Sequence, residues 1–264
     1  NGATTQDLYN ISSGTYSLKI YDDKGCKDSS IVARIKEPTL LDVKVNSVTN
    51  IRQYGLSTGA IDVNVSGGVA PYTYSWSNGA TTKDISNLPA GTYSVNVTDA
   101  NGCSQSISAT VKQPAPLLAR ITEVKNIVCH GDLAGAISID IVGGVKPYIF
   151  KWNNGRSTQN LVDVGAGSYS VEISDQNGCK QVLSAVISQP AQLTATLASV
   201  NDVSCYGSDN GSINITVVGG STPYKYVWNN GATTQDLYNI SSGTYSLKIY
   251  DDKGCKDSSI VARI

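Results

Sequence analysis

The stretch Gly55-Leu-Ser57-Thr-Gly59 has the spacing of a nucleophile elbow. That chemistry needs a sharp strand-to-helix turn, a histidine to take the serine proton and a carboxylate to orient the histidine. The sole histidine, His130, belongs to a later part of the chain. The corresponding stretches downstream read GDLAG (131–135) and GSDNG (207–211), and the residues after each alternate as in a strand. Ser57 is therefore expected in an inter-strand loop, and no enzyme is expected. A second candidate chemistry is calcium binding at Asp99, Asn101, Asp175, Asn177, Asp251 and Asp252, in the turns DANG, DQNG and DDKG. Calcium takes six or more oxygens, and the distal glutamate of a complete loop is missing. Asn-Gly is also what a tight hairpin turn requires for its left-handed backbone. The turn explains these residues more simply, and no cofactor is expected.

The cysteines carry the remaining chemistry. Cys26, Cys103, Cys179 and Cys255 end the same kind of turn, whereas Cys129 and Cys205 each stand 50 residues before a turn cysteine. The economical pairing is Cys129–Cys179 and Cys205–Cys255. Gln53 occupies the corresponding earlier position, which makes Cys103 a free thiol and leaves the partner of Cys26 outside this sequence. There is no C-x-x-C and only one histidine, so a zinc site is not expected. Paired cysteines in small domains imply an oxidising, extracytoplasmic setting.

These residues are positioned by a repeat. PYTYSWSNGATTKDISNLPAGTYSVNVTDANGC (71–103) returns at 147–179 and 223–255, and Trp76, Trp152 and Trp228 keep a constant spacing of 76. Such self-similarity fixes the fold unit before anything else. Pro38, Pro114 and Pro190 mark the ends, giving 39–114, 115–190 and 191–264 as repeats, the last a few residues short of its own closing proline, and 1–38 as the second half of one. Residues 1–35 are identical to 230–264, which suggests a segment of a longer array with a higher period of 229. In such a segment Tyr16, Leu18 and Ile20 lack the strands they should pack against.

Strict alternation, as at Ile137, Ile139 and Ile141 or Tyr169, Val171 and Ile173, predicts half-buried antiparallel strands. About seven short strands per repeat indicate an all-β, immunoglobulin-like sandwich. One tryptophan per repeat on the third strand belongs in the core of such a sandwich, and Tyr16, Tyr93, Tyr169 and Tyr245 follow a corner sequence of the L-P-A-G-T-Y kind, the place of a tyrosine corner. Short proline junctions predict domains arranged end to end as a rod. From Cys26 to Pro38 the chain is one residue longer than from Cys103 to Pro114, which predicts a longer hairpin or a bulge near that turn. The exposed third-strand residues change from repeat to repeat: Thr73 and Ser75, then Ile149 and Lys151, then Lys225 and Val227. The core and turns repeat while that surface does not.

A formal net charge of −1 with 16% charged residues gives no basic face for nucleic acid. No apolar run is long enough to span a bilayer.

The run GG-V-x-P-Y-x-Y-x-W-x-N-G-A-T-T, then L-x-A-G-T-Y-x-V-x-V-x-D-x-N-G-C and a closing Q-P, resembles the SprB-type repeat of giant surface adhesins of gliding Bacteroidota. It covers all three full repeats and the opening half, departing at Gln53, at DDKGC and at Ser242. The resemblance implies export by type IX secretion, a cell-surface location, and a part in adhesion and gliding motility. The expected function is a stalk segment of a repetitive adhesin, with neighbouring repeats as partners. The alternatives are a repeated module binding surface polysaccharide or protein, and a subunit of a self-assembling extracellular filament.

Overall fold

Turns rich in glycine and asparagine cut each repeat into strands of four to eight residues, and a computed structural model describes residues 2–27 and 31–264. The chain divides into two compact units, 1–113 and 114–264.

In the first unit, β1 (Gly14–Leu18) and β2 (Ile31–Ile35) form a two-stranded antiparallel sheet. Leu18 and Ile20 are exposed, whereas their counterparts Leu247 and Ile249 in repeat 191–264 are buried against the facing sheet. The extra residue foreseen between Cys26 and Pro38 falls near residues 28–30, outside the described residues. The rest of the unit is repeat 39–114, with β3 (Asp42–Thr49), β4 (Gly59–Ser66), β5 (Thr73–Trp76), β6 (Ile85–Leu88), β7 (Gly91–Thr98) and β8 (Ser104–Val111). One sheet has the order β3-β4-β6 and the other β5-β7-β8, all antiparallel.

The second unit holds two further copies. Repeat 115–190 contains β9 (Leu118–Lys125), β10 (Gly135–Val142), β11 (Ile149–Trp152), β12 (Leu161–Val164), β13 (Gly167–Ser174) and β14 (Lys180–Ile187). Repeat 191–264 contains β15 (Thr194–Asn201), β16 (Gly211–Val218), β17 (Lys225–Trp228), β18 (Leu237–Ile240), β19 (Thr244–Tyr250) and β20 (Lys256–Arg263). Their sheets repeat the same orders, β12-β10-β9 with β11-β13-β14 and β15-β16-β18 with β17-β19-β20. The chain is all-β, a tandem of immunoglobulin-like sandwiches, and it contains no helix long and apolar enough to cross a membrane among the described residues.

Each repeat has six strands where alternation suggested about seven. The first strand of repeat 115–190 stops at Lys125, short of Cys129. Asn126 ends it, its Oδ1 accepting the Ser188 N–H at 2.9 Å while Ile127 N–H donates to Ser188 O, and both turn the chain toward the last strand. Asn50 does the same with Lys112 in repeat 39–114. In repeat 191–264 the β19–β20 register shifts between Leu247 and Ile249, whereas β7–β8 and β13–β14 pair without a break. Residues 255–264 have the same sequence as 26–35, so the extra residue is a bulge in this copy.

Each repeat encloses its own core. In repeat 115–190 Ile137, Leu161, Ile173 and Ile187 are sealed from solvent, and Trp152 packs with them. The indole N–H is satisfied inside the fold: Trp76 donates to Thr82 O, Trp152 to Thr158 O and Trp228 to Thr234 O, at 2.8–2.9 Å. The tyrosine corner recurs as Tyr16 to Ser12 O, Tyr93 to Pro89 O, Tyr169 to Gly165 O and Tyr245 to Ser241 O. These aromatics bury area and anchor loops.

Candidate functional site

The ends of each sandwich are where the cysteines lie, and their construction starts with an aspartate. Asp175 closes the β13–β14 turn. Its Oδ1 accepts the N–H groups of Asn177 and Cys179 at 3.0 and 2.9 Å, and its Oδ2 accepts Val145 N–H at 2.9 Å. One carboxylate thus ties the turn to the Gly143-Gly144-Val145 loop, and Gln176 N–H returns a bond to Val145 O. Asp99 holds Asn101, Cys103 and Val69 in the same way, and Asp251 holds Lys253, Cys255 and Ser221. Burial pushes the Asp99 and Asp175 carboxyls up, but the converging backbone N–H groups outweigh it and leave both below the usual carboxylate range.

The loop closes against the start of the repeat. Gly144 N–H donates to Ala115 O, and Tyr148 OH bonds Gly143 O at 2.6 Å. A Cβ on Gly143, whose φ is +72°, would sit 2.0 Å from Pro116 O. The first strand, the glycine loop and the aspartate turn therefore form one leading end. Gln181 bridges the sheets there, accepting Ala119 N–H at 2.6 Å and donating to Ala119 O at 3.0 Å. The sequence pattern did not reveal Gln181, Gln105 (which accepts Val43 N–H) or Tyr148; the invariant P-Y after each glycine pair was the available signal for the tyrosine.

The trailing end is built from the loop after the first strand and the tail after the last. Gly131 N–H donates to Gln189 Oε1, Asp132 N–H to Cys129 O, and His130 Nδ1 lies 3.1 Å from Pro190 O. Since β9 starts beside Gln181 and finishes beside Ser188, it runs alongside β14 in the same direction. Cys129 is therefore at the trailing end and Cys179 at the leading end. The eight residues of β14 put roughly 27 Å between those ends, while a disulfide needs Cα atoms about 4.4–6.8 Å apart.

The expected bridges Cys129–Cys179 and Cys205–Cys255 are accordingly not formed. Cys129 instead bonds Cys255, on the leading end of the following repeat, with Cα atoms 5.4 Å apart. The bridge joins two successive sandwiches beside the point where the chain itself passes from Pro190 to Ala191. A cleft of about 480 Å³ lies against it, lined by His130, Asp132, Gln192, Leu193 and Lys256. Cys26, Cys103, Cys179 and Cys205 carry free thiols, Cys179 half-buried and the others exposed.

The remaining candidates are not brought together. Ser57 sits in a loop that leads into β4, a strand and not a helix, and His130 belongs to a different repeat. Of the calcium candidates, Asp99, Asp175 and Asp251 engage both carboxylate oxygens with backbone N–H groups, while Asp252 is paired with Lys253 at 3.0 Å. Asn101 and Asn177 contribute their N–H groups to the turns. Among the described residues no group of three or more His, Cys, Asp or Glu could hold a metal ion.

The SprB repeat family matches residues 45–81, 121–157 and 197–233. The three matched stretches lie in tandem, one within each full sandwich. No curated protein matches it in sequence. Among solved structures it is similar to Sidekick-1 immunoglobulin domains 1–5, at 11% identity over 95% of this chain and 65% of that one, with a TM-score of 0.38. It is similar to the N-terminal eight immunoglobulin domains of Down Syndrome Cell Adhesion Molecule, at 13% identity over 97% and 40%, with a TM-score of 0.39. A Ca²⁺-stabilised adhesin with which an Antarctic bacterium binds ice shows 15% identity over 94% and 80%, with a TM-score of 0.38. The chain spans less than two thirds of the length of the first two structures.

Proposed function

We propose that these repeats form a stalk segment of a repetitive cell-surface adhesin, which holds an adhesive tip away from the cell and bears tension. The observation that carries this reading is the Cys129–Cys255 bridge, a covalent tie from one sandwich to the next. It shortens the path that force must take through the chain. The surface agrees: exposed Thr73 and Ser75 of β5 become Ile149 and Lys151 on β11 and Lys225 and Val227 on β17, so no surface chemistry is repeated there. A structural disulfide suits an oxidising compartment, which supports an extracellular or cell-surface location. Export by type IX secretion and service in gliding motility extend the same reading. The partners it requires are neighbouring repeats, with surface polysaccharide or other copies of the filament as further contacts.

Small-angle scattering from the full chain tests the stalk. Sandwiches roughly 25–30 Å long, set end to end, should give about 90 Å for three repeats. A compact particle would overturn the proposal. Binding of single repeats to a glycan array would favour a repeated binding module instead.

A further inference from the structure

The Cys129–Cys255 bridge connects two strands that run the same way. The chain enters repeat 115–190 at its leading end, where Ala115 O accepts Gly144 N–H. From there β9 runs to the trailing end, stops beside Ser188, and the chain reaches Cys129. The bridge passes to Cys255 on the leading end of repeat 191–264, and β20 begins at the next residue, Lys256. β20 pairs antiparallel with β19 and finishes at the other end of that sandwich, where Ile264 and Gly243 exchange both backbone hydrogen bonds. A covalent path therefore runs through both repeats along one strand of each.

That path decides what tension acts on. In a sandwich without such a bridge the chain enters on the first strand and leaves on the last, so force crosses the folded body between them. Here β9 is held at both of its ends, by Ala115 and by Cys129, and β20 is held in the same way by Cys255 and Ile264. Hydrogen bonds between antiparallel strands lie across the strand direction, so tension along β9 or β20 does not load them. Strands rise ~3.4 Å per residue, close to the ~3.6 Å limit of an extended chain. Of the residues from Ala115 to Cys129 and from Cys255 to Ile264, only nine lie outside β9 and β20. Straightening those lengthens the path by at most about 3 nm, whereas opening one whole sandwich releases roughly 25 nm. Everything from His130 to Gly254, including β10 to β19 and the core residues Trp152 and Trp228, lies beside the path.

We infer that β9, the Cys129–Cys255 bridge and β20 form a load-bearing cable, and that both sandwiches stay folded beside it at forces that unfold an untied repeat. This goes beyond the stalk reading, since it concerns how the pair carries load whatever the surface role of the chain. The faces presented by residues 130–254 would then keep their shape under tension. Repeat 39–114 supplies the comparison within the same molecule: Gln53 stands in the place of Cys129, and Cys103 is a free thiol.

The test holds the full chain by its two ends at constant force. The force is set where the chain reduced beforehand, or its Cys129→Ser variant, loses three repeats in three steps of roughly 25 nm. The bridged chain should give one such step, from repeat 39–114, and then keep its length. Adding a reductant at that point cuts the bridge and reports the state of the two sandwiches. Folded sandwiches should answer with two separate, later steps of roughly 25 nm each, at the rate seen for the chain reduced beforehand. A single jump of about 45 nm on reduction would show that both had already unfolded behind the bridge, and would overturn the inference. Three steps before any reductant is added would overturn it too. A compact particle in scattering would count against the stalk and leave this result standing.

Discussion

Asp175 shows how much one side chain can organise at these ends. Its carboxylate accepts three backbone N–H groups from two loops, and the resulting turn fixes where the turn cysteine points. Because Asp99 and Asp175 titrate below the usual range when folded, the unfolded chain takes up their protons first as pH falls. The stability they contribute is fully present above the ordinary aspartate value of about 3.9. It is lost as pH drops through the lower folded values. Melting followed from neutral to strongly acidic pH should therefore be flat at first and then decline. In Asp175→Asn the transition of repeat 115–190 should start lower and lose less on acidification. An acid slope unchanged by the substitution would assign the effect to other groups.

At the scale of elements, the leading end depends on close backbone approach. Gly143 and Gly155 both adopt left-handed backbone, but a Cβ on Gly143 meets Pro116 O at 2.0 Å and one on Gly155 meets nothing within 4 Å. Gly155→Ala should cost about 1–3 kcal/mol from conformation alone. Gly143→Ala should cost more, since the first strand must also shift, and denaturant unfolding would measure the difference. Equal losses would mean that the loop yields without disturbing Pro116. The strands themselves were legible in the sequence, because alternation at residues such as Val171 and Ile173 reports a half-buried face directly. The tryptophan and tyrosine-corner positions followed for the same reason. The strand count was less legible: the stop at Asn126 depends on a hydrogen bond to Ser188, 62 residues away. The cysteine pairing was not legible from spacing at all. A separation of 50 residues between Cys129 and Cys179 does not say that β9 and β14 run the same way and leave those residues at opposite ends.

For the whole molecule, the consequence of a tie between repeats is mechanical. Under load, the residues enclosed by the bridge cannot extend even after both sandwiches unfold. The bridge spans a sequence separation of 126, which at ~3.6 Å per residue hides about 45 nm of chain. Stretching single molecules from their two ends should therefore show a final contour length shorter by that amount before reduction than after it. Two intra-repeat bridges would hide about 36 nm at the same rise per residue, and no bridge would hide none. The extension regained on adding reductant thus measures how force runs through the repeats.

The tie is tested most directly by non-reducing peptide mapping of the native chain. Trypsin should release residues 126–151 linked to residues 254–256, which places Cys129 on Cys255. Peptides joining Cys129 to Cys179 and Cys205 to Cys255 would contradict the tie and return each bridge to the inside of a single repeat.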